Sequence, residues 1–191
     1  VLVRGREILA RRRERDPVAL AAWCAARAAV AVAVDAPCRW RPPAPAPARS
    51  AERALAAAGI ACYYTPTEER ARARPFYSWM RPGADLYAAL GPVFPLYRGE
   101  SAPGPVCFET FPQAVACALA GDRVSARAAD KRAVRAGLLR RAGFALSGGE
   151  TQDELDALLC ALAAEAFVRG GFRAYGDPAD GLILVPATGR G

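Results

Sequence analysis

VAVAVDAP, residues 30–37, is an apolar run that ends abruptly in a carboxylate and then an Ala-Pro step. Valine alternates with alanine along it, so small apolar side chains face both ways, the pattern of a strand covered on both faces of a sheet. Pro37 stops the ladder, because it has no N–H to donate and disfavours the helical region at Ala36. Open α/β sheets gather their sites at the carboxyl ends of such strands, which makes Asp35 the first candidate site residue. Capping of the following turn is the competing reading of the same carboxylate.

Composition sets the bounds. The chain has 191 residues, 53% of them hydrophobic and 24% charged, enough for one good core, so residues 1–191 are expected to form a single domain. The net charge of +7 is carried by arginine, Lys131 being the lone lysine. An arginine-rich balance suits phosphate or nucleic acid, although a chain rich in Ala, Arg, Gly and Pro throughout also reaches it by composition alone. The 6 cysteines show no C-x-x-C pair and several sit in apolar periodic stretches, as thiols of a reducing cytoplasm do. With no histidine, Ser-His triads, His-based acid–base catalysis and His-liganded zinc are excluded. Arg11 to Arg13 and Arg15, followed by an apolar run, imitate a secretory leader, but Arg27 interrupts the run and it closes in Asp-Ala-Pro. No stretch reaches the ~18 apolar residues of a membrane span, so no membrane partner is expected.

The remaining elements follow from local signals. Residues 1–13 read as a hairpin turning at Arg4-Gly5-Arg6. Asp16-Pro17 opens a helix as N-cap and N1. The Pro/Ala-rich stretch 41–48 reads as a stiff extended loop, and Ser50 as the cap of a helix ending at Gly59. A short strand is expected over 60–64, then a helix in two pieces broken near Pro82-Gly83, with Trp79, Met80, Leu86, Tyr87 and Leu90 buried. VCFE, residues 106–109, is a second apolar run tipped by an acid, Glu109. A helix over 111–120, a basic helix over 125–142, and a helix opened by the Thr151-x-x-Glu154 capping box follow, with a terminal strand at 181–186.

Acids stand in unusual settings at Asp35 and Glu109 on strand ends, and at Asp153 and Asp156, three apart on one helix face. Asp153 has a plain explanation in the first-turn helix dipole. Asp156 lies at the margin of the apolar stripe with no basic residue at i±3 or i±4, so it needs a partner from elsewhere. Converging carboxylates repel unless a cation separates them. Hard oxygen donors without His point to Mg2+ or Mn2+, which couple to phosphate oxygens in phosphodiester cleavage. Asp35, Glu109 and Asp156 are the expected metal ligands and Asp153 an auxiliary one, with Arg49, Arg53 and Lys131 as candidate phosphate-holding residues.

VDAP at 34–37, Arg49 with Arg53, ETFP at 109–112, Lys131, D-x-x-D-A-L at 153–158 and GD-x-x-DG-x-I-x-VP at 176–186 stand in an order that resembles one family, the predicted nucleases called domain of unknown function 429. The resemblance runs from Val30 onward. It implies a ribonuclease-H-like fold, a mixed sheet flanked by helices, and maps Asp35, Glu109 and Asp156 onto the family's acidic positions. The family's first strand, bearing an Asp-x-Gly-like turn and normally one metal ligand, has no counterpart here, so the N-terminal β-meander is expected to be incomplete. The function expected is metal-dependent hydrolysis of nucleic-acid phosphodiesters in the cytoplasm. The alternative is a non-catalytic nucleic-acid-binding or scaffold protein with a degenerate site. A phosphotransferase on a related sheet is disfavoured, because no Gly-rich phosphate loop follows a strand.

Overall fold

The computed structural model describes residues 1–43, 46–100 and 104–187, so part of the 41–48 loop and of the connection before VCFE lies outside the described residues. A hairpin of β1 (Leu2–Arg4) and β2 (Glu7–Ala10) comes first, turning at Gly5 with φ +60°. Helix α1 (Pro17–Ala25) starts as its sequence requires, with Asp16 accepting the Val18 amide at 2.9 Å. The second sheet has the order β3-β4-β6-β5, from β3 (Ala31–Val34), β4 (Val106–Glu109), β5 (Phe172–Asp177) and β6 (Gly181–Pro186). Strands β3, β4 and β6 are parallel and β5 is antiparallel to β6, giving a mixed sheet flanked by helices.

Six further α-helices complete the described chain: α2 (Ser50–Ala57), α3 (Glu68–Ala73), α4 (Arg81–Leu90), α5 (Pro112–Ala120), α6 (Ala128–Arg141) and α7 (Gln152–Val168). Helix α7 packs against β3 and β6 and is itself covered by α5 and α6, while α1 packs on α4 and α2 on β5. Alternation along the strands sorts the core. Ala33 and Phe108 join the larger apolar cluster with α7, whereas Val34 and Cys107 join the smaller one with α1 and α4.

Several expectations need correction. β3 is packed on both faces, as its sequence suggests, but it is an edge strand and incompletely covered; three of its four residues are only half-buried and Val30 before it is exposed. Residues 60–64 form no strand. Arg49, and not Ser50, is the N-cap of α2; Ser50 is the first helical residue, and its amide and hydroxyl both donate to Asp180, the amide at 2.7 Å. The two-piece helix breaks at Met80–Arg81, where a 3-10 turn (Pro75–Met80) passes into α4, and Trp79 is exposed. Pro82 sits in the first turn of α4, where its missing N–H costs nothing.

Gly83 lies inside α4 for a packing reason. A Cβ at that position would overlap the Cβ of Ala36, the residue after Asp35. Alanine would otherwise favour a helix interior by about 1 kcal/mol. The overlap outweighs that gain, and Gly83→Ala is expected to lose about 1–3 kcal/mol of stability in urea unfolding.

Candidate functional site

The register of the parallel pair pairs Val34 with Glu109. Asp35 stands in the bend one residue beyond Glu109's partner, where the alternation of the strand, carried on by one residue, sends the two carboxylates to opposite sides of the sheet. Their surroundings agree with this geometry. Asp35 lines a cavity of about 820 Å³ together with Asp153, Asp156 and Cys160 of α7. Glu109 is buried on the other side, in contact with the start of α2.

Glu109 is held by one guanidinium. Arg49 Nη1 donates to Oε2 at 2.7 Å and Nη2 to Oε1 at 2.6 Å, and the Cys38 amide adds a bond to Oε2 at 2.8 Å. Arg49 Nε donates to Glu52 at 3.0 Å, and Glu52 also accepts the Thr65 amide at 2.9 Å and the Thr65 hydroxyl. All four side chains are buried. Burial works against the Arg49 charge, yet the adjacent Glu109 and Glu52 carboxylates hold its pKa above the ordinary arginine value. Both Glu109 oxygens thus have partners, and Arg49 is an internal clamp and not a surface cation for phosphate.

The opposite side is a mixed-charge cluster. Buried Arg135 of α6 forms an ion pair with Asp156, whose Oδ1 also accepts Gln152 Nε2 at 2.8 Å. This is the partner that Asp156 lacks within its own helix. Asp35 makes no hydrogen bond or ion pair among the described residues. Asp35 is exposed to the solvent of the cavity, although protein atoms surround it on the remaining sides. That crowding raises its pKa from 3.8 to about 6; Arg135 and Lys131 oppose the rise, and Glu109 adds slightly to it. Half-buried Lys131 is lowered by burial and by Arg135, against the pull of Asp35.

Asp153 also lines the cavity, and Arg53 lies elsewhere. Asp153 is exposed and paired with Arg13 at 3.2 Å, and Arg53 is exposed on α2. The structure therefore brings Asp35, Asp156 and Lys131 together around Arg135, with Asp153 on the same cavity, and does not bring Glu109, Arg49 or Arg53 to them. No three His, Cys, Asp or Glu side chains among the described residues converge closely enough to hold a metal ion. The donors do not fit the three-carboxylate Mg2+ or Mn2+ centre expected from the sequence. Glu109 is on the wrong side of the sheet with both oxygens engaged, and Asp156 is already balanced by Arg135. Sequence reasoning missed Arg135, whose signal was its place on the basic helix four residues after Lys131, and Thr65, which gave none.

The chain is thus of the mixed α/β class, with an acid at the carboxyl end of its edge strand facing a cavity. Within that class, residues 8–180 match the family model described as "Protein of unknown function (DUF429)", and the chain belongs to that family. Comparison with curated proteins gives no match, and comparison with solved structures gives none either. Among the described residues no helix is long and apolar enough to cross a membrane.

Proposed function

We propose that this chain has a ribonuclease-H-like architecture and hydrolyses phosphodiester bonds of nucleic acid, with Asp35 as the group that takes the proton from the attacking water. The observation that carries the reading is Asp35 itself. It is a carboxylate without a bonded partner among the described residues, crowded into a cavity with a pKa raised to about 6, close to the pH at which a general base works best. The cavity, at about 820 Å³, is of the size that takes a nucleotide-scale ligand. Lys131, within electrostatic reach of Asp35, offsets phosphate charge, and Arg135 positions Asp156 beside it. The same reading places the protein in the cytoplasm, where its free cysteines stay reduced.

A second reading, a nucleic-acid-binding protein without catalysis, is favoured by the engagement of Glu109 with Arg49, which removes one acid from the site. One panel separates the two. Labelled single-stranded, duplex, hybrid and branched DNA and RNA are incubated with the protein in Mg2+, in Mn2+ and in chelator. Cleavage of at least one substrate is expected. Salt-sensitive binding with no cleavage in any condition leaves the binding reading and overturns the hydrolase.

A further inference from the structure

We propose that residues 63–79 form a stacking platform for an unpaired nucleic-acid strand, a reading that rests on the nucleic-acid substrate proposed above and narrows it to single strands. The large aromatic side chains exposed among the described residues all fall in this stretch: Tyr63 (75%), Tyr64 (48%), Phe76 (64%) and Trp79 (52%). Exposed aromatic surface gathered in one place marks an interaction site, whereas a scattered ring does not. The rings are not stacked face to face. Tyr63 meets Trp79 at 6.4 Å and 67°, and Phe76 meets Tyr77 at 5.1 Å and 83°, both edge-to-face, so that in each pair one ring at most has a face covered by the other.

Cations are interleaved with these rings. Arg70 lies over Tyr77 at 5.9 Å. Arg70, Arg74 and Arg81 are exposed and form no ion pair among the described residues, in contrast to Arg72, which is bound to Glu68 at 2.6 Å. Ring faces for bases and free guanidiniums for phosphates are the two requirements of single-strand binding. A duplex keeps its bases stacked inside and offers nothing to the rings, which selects the unpaired strand.

The platform is fixed at both ends to the strand-end region. Thr65 is tied through Glu52 and Arg49 to Glu109. Beyond Trp79, buried Met80 leads into α4, where Gly83 abuts Ala36 and the Tyr87 hydroxyl donates to the Ala36 carbonyl at 3.1 Å. The rings are thereby anchored to the turn that carries Asp35.

The test uses the full chain with Asp35→Asn, so that binding is read without cleavage, and oligo-dT, oligo-U and a duplex of equal length as probes in fluorescence anisotropy. Tyr63→Ala and Trp79→Ala are each expected to weaken single-strand binding by ~10-fold or more while leaving duplex binding and the circular dichroism spectrum unchanged. Single-strand binding unaffected by either substitution overturns the platform but leaves the nucleic-acid substrate standing. Absence of binding to any probe at low salt overturns both. A change in sedimentation of Trp79→Ala without a change in single-strand binding also overturns the platform, and assigns the rings to contact between protein chains.

Discussion

Arg49→Met is expected to cost about 3–5 kcal/mol of folding stability, the toll of leaving buried charges without their partner. The substitution removes the bidentate pair to Glu109 and the Nε bond to Glu52 together, and both carboxylates stay behind at 5% side-chain exposure or less. For a chain of this size that loss lowers the melting temperature by roughly 6–20 °C. Arg49→Lys is expected to recover only part of it, because an ammonium cannot reproduce a planar fork serving two acids at once. Adding Glu109→Gln and Glu52→Gln to Arg49→Met restores some stability by removing the stranded charges. Denaturant unfolding decides the matter: a loss below about 1 kcal/mol is what a solvated surface pair gives, and would contradict the clamp.

The second large effect belongs to Asp35. A positioned general base contributes typically ~10²–10⁴-fold, and Asp35→Asn is expected to reduce cleavage by that factor. The wild-type rate should climb with pH through about 6, as the carboxyl loses its proton and becomes able to accept one. Stability moves the other way. Because the folded protein holds this proton more tightly than the unfolded chain, whose carboxyl titrates near 3.8, stability declines as pH rises from about 4 to above 6. Asp35→Asn should flatten that decline and be no less stable than wild type at pH 8. A rate profile without an inflection near pH 6, or an unchanged rate in the Asn variant, would remove Asp35 from the chemistry.

Much of the architecture was legible because it rests on short-range rules. Asp16-Pro17, the Thr151 capping box and Gly121 at φ +71° mark helix ends through hydrogen bonds and steric freedom that neighbouring residues decide. VAVAV and VCFE read as strands from their apolar runs alone. Strand β5 was harder, because an outer strand whose residues are all exposed or half-buried gives no apolar run. The site was legible by location and not by grouping. Both acid-tipped strands end where expected, but which face each acid takes depends on a register between segments about seventy residues apart. A shift of one residue would have put Asp35 and Glu109 on the same side. Arg49 illustrates the same limit. Its partners come from the next turn of its own helix and from a distant strand, and an arginine in a basic chain carries no mark that tells clamp from surface. Trp79 failed for a different reason, since an aromatic in an amphipathic pattern is ordinarily core, and only its place on a short 3-10 turn turns it outward.

The chain of bonds from Cys38 through Glu109, Arg49 and Glu52 to Thr65 sorts the coil of this protein into two kinds. Residues 35–38 and 60–65 have no regular secondary structure, yet backbone amides in both are fixed to buried carboxylates. Stretch 42–43, by contrast, gives only carbonyls to the partly exposed Arg41. Lengthening the first kind by even one residue would pull an amide away from a charge that has no water to fall back on, whereas the second can absorb insertions at small entropic cost. Under drift the two coils should therefore age differently: the clamped turns keep their length while their side chains vary, and the Pro/Ala segment varies in both.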